Sequence, residues 1–156
     1  MRYALPILVV AMVIPAFFAL GQRGFNSFGR WQQALRVLMV LLLLGAAASH
    51  FLQPQLFASI IPPIFPFRYV LAVLSGVFEA AGAIGLLLAA ARRPAALCLA
   101  VLMVAVFPAN IYVAGRAIGE VPMPGVGLRA AMQMIFIVLI LLAGWGMPVS
   151  RKRRAD

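Results

Sequence analysis

The sequence predicts an all-α membrane protein, a bundle of four transmembrane helices with one extra hydrophobic helix at the N-terminus. Three observations predict it. Of the 156 residues 65% are hydrophobic and only 10% are charged, and the mean hydropathy is +1.08, whereas a soluble domain has roughly 45–50% apolar and about 25% charged residues. The apolar residues fall in runs long enough to cross a bilayer, which takes about 20 residues. None of these runs alternates with period two, so they are helices rather than barrel strands, the two structures lipid permits.

Five runs qualify: residues 3–20, 31–49, 69–91, 94–115 and 128–147. The first has two readings. Arg2, an apolar stretch and Ala19-Leu20-Gly21 fit a signal peptide with a small-residue cleavage site. Cleavage would leave Arg23, Arg30 and Arg36 outside, against the excess of Arg and Lys in cytoplasmic loops, which favours a retained helix. The chain is therefore read as an N-terminal helix and basic linker (1–29), a four-helix membrane domain (30–147) and a basic cytoplasmic tail (148–156). Between the second and third runs, residues 51–68 are apolar but hold Pro54, Pro62, Pro63 and Pro66. No straight helix runs through four prolines. The segment reads as an interfacial lid with a helical turn around residues 55–61, or as an amphipathic surface loop. The short turn Ala91-Arg92-Arg93-Pro94 makes the next two helices a hairpin. In the third run Gly76 and Ala80, and Ala81 and Gly85, have the spacing that lets helix backbones approach.

Charge sets the expected topology. Thirteen Lys and Arg face three Asp and Glu, a formal charge of +10. In a soluble chain that would suggest nucleic acid; here the cations lie between membrane runs. Arg23, Arg30, Arg36, Arg92, Arg93, Arg151, Lys152, Arg153 and Arg154 fall on one side. Arg2, Arg68, Arg116 and Arg129 fall on the other. The richer side is cytoplasmic, with the C-terminus inside and the N-terminus outside. The C-terminal run serves as a topology anchor that touches anionic lipid.

The polar residues within the runs mark the candidate site. Ionisable groups inside a membrane are costly and usually functional. Glu79 lies near the midplane, and Ser75 is one turn away on the same face. His50 ends the second run, Asn110 is near the outer end of the fourth, and Gln133 and Arg129 share a face of the fifth. All six belong to the outer half, so the sequence predicts an outward-opening polar pocket beneath the lid, with Glu79 as a candidate proton-handling group. Each also has a plainer reading. His50 can bond a loop carbonyl, Asn110 and Gln133 can join helices, and Asn110 can satisfy the carbonyl that Pro108 frees. Glu79 can be a protonated acid bonded to a neighbour, and Arg129 can reach the headgroups. The lone cysteine, Cys98, excludes an intrachain disulfide, a dithiol relay and a structural zinc site. No metal is expected.

The stretches Ala48-Ser49-His50-Phe51, Ile61-Pro62-Pro63 with Pro66, Leu74-Ser75-Gly76-Val77-Phe78-Glu79, Val106-Phe107-Pro108-Ala109-Asn110-Ile111-Tyr112 and Arg129 to Gln133 resemble the DoxX-like family of small bacterial membrane proteins. The resemblance covers about residues 30–145 and leaves out the first run. It implies a four-helix bundle in the bacterial inner membrane and an association with quinol oxidation or oxidative-stress complexes. On that basis the chain reads as a redox-associated subunit that binds a quinone. His50 would bond a ring carbonyl, Glu79 would relay a proton, Asn110 and Gln133 would fix the head, and Phe51 and Phe65 would cover it. A membrane or extracytoplasmic redox protein would be its partner. With one histidine, it holds no bis-His haem of its own. Two other readings stand beside this one: a non-enzymatic assembly or small-ligand-binding protein, and a small transporter. The transporter needs a path to both sides, and the inner halves of the helices look dry.

Overall fold

A computed structural model of the chain describes residues 28–118 and 121–145. The expected first helix, the C-terminal basic run and Glu120 lie outside them. Four long helices are present: α1 (Phe28–Leu52), α3 (Arg68–Leu87), α4 (Arg92–Val113) and α5 (Val126–Gly144). A short helix, α2 (Pro54–Ile60), follows α1, and a two-stranded antiparallel hairpin, β1 (Ala117–Ile118) and β2 (Val121–Pro122), joins α4 to α5. All four long helices are long and apolar enough to cross a membrane, by length and composition.

Their boundaries follow local chemistry. Pro54 begins α2, where its missing N–H is no loss, and α2 stops before Pro62 and Pro63. The lid segment thus holds a full short helix rather than a single turn. At its other end, Phe67 takes a left-handed backbone with φ 54°, uncommon for a bulky side chain, and turns the chain into α3. The helix α3 ends at Leu87, four residues short of the expected run, and α4 starts at Arg92, two residues before the expected start at Pro94. The hairpin was not foreseen, because two-residue strands show no alternation.

The long helices form a closed ring in which α1 packs on α3, α3 on α4, α4 on α5 and α5 on α1. The short α2 lies mainly across α3. Each helix turns a stripe inward: Leu35, Met39 and Leu43 from α1, Ala83 and Leu86 from α3, Ala96, Leu99 and Met103 from α4, Ile140 and Ala143 from α5. Those stripes recur at three- and four-residue intervals, as one helix face requires. The opposite faces carry exposed Leu41, Val101, Val104, Ile135 and Val138. Helices apolar on every side suit a lipid environment, and by length and composition the four helices suggest a multi-pass membrane protein.

Small residues bring the helices close. A Cβ at Gly82 would run into the Leu99 side chain, and one at Gly85 would stand 2.6 Å from the Ala95 Cβ, so α3 and α4 meet almost backbone to backbone. Of the spaced small residues, Gly76 and Gly85 make such contacts, while Ala81 is exposed. The aliphatic core fills one half of the bundle. At that end Arg36 Nε donates to the Ala143 carbonyl (3.1 Å) and Arg92 Nε to the Leu86 carbonyl (3.2 Å). Both cations therefore sit at the negative C-terminal ends of α5 and α3, where a helix dipole favours them. Polar side chains gather in the other half, at the end carrying His50 and α2.

Candidate functional site

One face of α3 builds the first part of the site. Ala72, Gly76 and Glu79 follow at helical spacing and are all buried. Gly76 has no side chain, and a Cβ there would stand 2.7 Å from the His50 Cβ. The His50 side chain of α1 fills that gap. Its Nδ1 donates to the Ala72 carbonyl at 2.7 Å; a carbonyl only accepts, so this bond fixes the proton on Nδ1. Its Nε2 lies 3.8 Å from Glu79 Oε1. Phe57 of α2 stacks on the ring, with centroids 3.8 Å apart and planes at 27°. Glu79 Oε2 is buried and has no hydrogen-bond partner.

Beside this pair, a cavity of about 290 Å³ opens between α2, α3 and α4. Phe57 and Phe65 from the lid segment, Phe78 from α3, and Ala105 and Ala109 from α4 line it, with His50 and Ser75. Ser75 Oγ donates to the Leu71 carbonyl (3.0 Å), which leaves its lone pairs to accept a bond from a ligand. The wall is otherwise apolar. Phe51, expected as a cover, is not among the lining residues, whereas Phe65 is.

The second part of the site lies between α4 and α5. Arg129 Nη2 donates to Asn110 Oδ1 (2.6 Å), Asn110 Nδ2 donates to Gln133 Oε1, and Gln133 Nε2 donates to the Met103 carbonyl. The carbonyl that Pro108 deprives of its helical donor is that of Val104, four residues earlier. Gln133 bonds Met103 instead, so this bond joins α5 to α4 rather than mending the proline's defect, and Asn110, for which the sequence had suggested that task, bonds Arg129 and Gln133. Arg129 Nη1 also reaches Met123 Sδ at 3.5 Å. Tyr112, at the same end of α4, has the Arg116 guanidinium 4.2 Å above its ring.

The six expected site residues thus share one half of the bundle but form two groups. His50 and Ser75 line the cavity, with Glu79 directly behind His50. Asn110, Arg129 and Gln133 bond one another on the far side of α4 and do not line it. Phe57 was the side chain that sequence reasoning missed. Its sign was its place one helical register after Pro54, on the inner face of the lid. Among the described residues no three His, Cys, Asp or Glu side chains gather to hold a metal.

A family described as a domain of unknown function, DUF8561, matches residues 39–149, more than half of the chain. The chain belongs to the DUF8561 family. That match corrects the resemblance to the DoxX-like family, to which no match is found. The short stretches that carried the resemblance have local packing roles that unrelated bundles can share: Gly76 seats an imidazole, and Asn110 bonds side chains of the next helix. The DUF8561 match begins in the middle of α1 and takes in both parts of the site. No curated protein and no solved structure matches the chain.

Proposed function

We propose that this protein is a multi-pass protein of the bacterial cytoplasmic membrane that binds a membrane-dissolved molecule with a flat ring head, of the quinone class, in the cavity under α2. The single observation that carries this reading is the cavity's lining. Phe57, Phe65, Phe78 and the His50 imidazole surround about 290 Å³ with one hydroxyl, Ser75, among them. Ligand sites of about 300–1,000 Å³ are lined mostly by apolar and aromatic side chains with a few polar groups. The present volume suits a ring head whose tail leaves between helices. With Nδ1 committed to Ala72 and the Ser75 hydroxyl donating to Leu71, the polar contact is the Ser75 oxygen, which accepts from the hydroxyl of the reduced, quinol form. The buried Glu79, behind the His50 ring that lines the cavity, is the proton-holding group. The excess of Arg and Lys toward the opposite end supports an outward-facing cavity. This chain supplies binding and a proton site, and a redox protein docked beside it supplies electrons.

The test is to purify the protein, extract its lipids and titrate a short-chain quinone against the melting temperature. Co-purifying quinone, or a rise in melting temperature, is expected. Absence of both overturns the reading.

A second reading is a non-enzymatic assembly protein. The bonding of Arg129, Asn110 and Gln133 to one another favours it, because side chains so engaged hold helices together. Glu79→Gln separates the two. A variant that folds normally and loses quinone binding supports the first reading; one that keeps every partner supports the second.

A further inference from the structure

The Arg129 cluster differs from the surroundings of Arg36 and Arg92. Arg36 and Arg92 each donate to a carbonyl at a helix C-terminus, where the helix dipole favours a cation. Arg129 lies in the first turn of α5, as Arg92 does in α4, but it reaches no helix C-terminus: its partners are Asn110 Oδ1 and Met123 Sδ, and the dipole of its own helix opposes a cation. Glu79 is the one acid among the described residues, and it faces His50 Nε2 at 3.8 Å. Arg129 Nε is buried without a hydrogen-bond partner.

The cluster is also unbalanced in its donors and acceptors. The amide oxygens of Asn110 and Gln133 are spent on Arg129 and Asn110. What remains is mostly donors: the orphaned Nε, further guanidinium N–H groups and the second N–H of each amide, against one lone pair on each amide oxygen. A buried donor without an acceptor costs stability, and a donor-rich cluster around a cation is complementary to an oxyanion. Arg116, on the hairpin above, adds positive potential at the same end: its carbonyl accepts from Met123 N (2.8 Å), and Met123 Sδ touches Arg129. The guanidinium fork suits the paired oxygens of phosphate.

We propose that Arg129, Asn110 and Gln133 form the donor side of a phosphate-binding site between α4 and α5, occupied by a lipid headgroup phosphate or by free phosphate. It is independent of the cavity under α2, which lies on another face of α4.

The full-length protein in detergent is titrated with inorganic phosphate, with a short-chain phosphatidylglycerol and with a diacylglycerol of the same chains, at matched ionic strength. Melting temperature is the readout. A rise with phosphatidylglycerol alone assigns the site to a headgroup; a rise with inorganic phosphate assigns it to the free anion. Arg129→Gln is expected to weaken the effective ligand about tenfold or more, since a charge-assisted bond contributes about 1.5–3 kcal/mol. Should that variant fail to fold, Arg129→Lys keeps the cation and lacks Nε and the fork, and a loss of several-fold is expected. Equal responses to phosphatidylglycerol and diacylglycerol without any response to phosphate overturn the proposal. So does unchanged affinity in a folded Arg129 variant. Binding of phosphate to Glu120→Gln but not to the wild type also overturns it, since the acceptor is then the chain's own carboxylate.

Discussion

His50 Nε2 and Glu79 Oε1 lie 3.8 Å apart, and the other nitrogen of the same ring donates to Ala72, about two helical turns from Glu79 on α3. One side chain of α1 is therefore held at both edges by a single helix. Removing it takes the imidazole N–H from the Ala72 carbonyl and leaves the buried Glu79 carboxyl without its polar neighbour. His50→Ala is expected to destabilise the bundle by about 1–3 kcal/mol. In a double-mutant cycle with Glu79→Gln, the two losses should fall short of additivity by about 0.5 kcal/mol or more. Thermal unfolding in detergent measures both. Strict additivity would show that the pair does not interact.

Gly76 makes that arrangement possible. Gly76→Ala places a methyl group 2.7 Å from the His50 Cβ and 3.3 Å from the Ala47 carbonyl oxygen, and both belong to α1. The helix must move, at a cost of about 1–3 kcal/mol. Gly45 is the control. A Cβ there meets nothing within 4 Å, so Gly45→Ala should leave the melting temperature unchanged or raise it, because alanine is the better helix former. If both variants behave alike, α1 and α3 are not seated on Gly76.

Gln133 tests the polar chain between α4 and α5. Gln133→Leu leaves Asn110 Nδ2 and the Met103 carbonyl without the partners they have in the wild type. Interhelical hydrogen bonds in membrane proteins contribute about 0.6 kcal/mol on average and up to about 1.7, so losing two should cost about 1–3 kcal/mol. Met134→Leu, on the exposed face of the same helix, should cost little. Unfolding of both variants in the same micelles checks the difference, and equal stabilities would mean the chain does not join α4 to α5.

The four long helices were legible because lipid demands long apolar runs, and the polar half of the bundle because Glu79 and Gln133 are so out of place in such runs. What the sequence hid was direction around the helix axis. Asn110 follows Ala109 directly, yet Ala109 lines the cavity and Asn110 faces α5. With apolar residues on every face of α4, no hydrophobic stripe tells one side from the other. Depth could be counted along the chain, whereas facing depended on contacts between helices. The stacking of Phe57 on His50 was hidden for a related reason: four prolines obscure where the lid helix begins and which way it turns.

The cavity can be tested by filling it. Ala109 is half-buried on the α4 wall, and Ala109→Phe adds a ring to a space of about 290 Å³. A void of this size has room for the ring, so stability should hold or rise. Filling apolar space contributes roughly 25 cal/mol for each Å² of apolar surface removed from solvent. Quinone binding, read as the ligand-induced rise in melting temperature, should disappear. Arg129 and its partners lie on another side of α4, so the response to phosphate should persist in the same variant. Ala109→Phe with undiminished quinone binding would place the ligand elsewhere on the protein. Loss of both responses together with a lowered melting temperature would mean the ring disturbs α4 itself, and Ser75→Ala then reads the cavity alone. Removing that hydroxyl takes away the cavity's one free acceptor without adding bulk, and should weaken a hydroxyl-bearing quinol about fivefold, for a bond of about 1 kcal/mol.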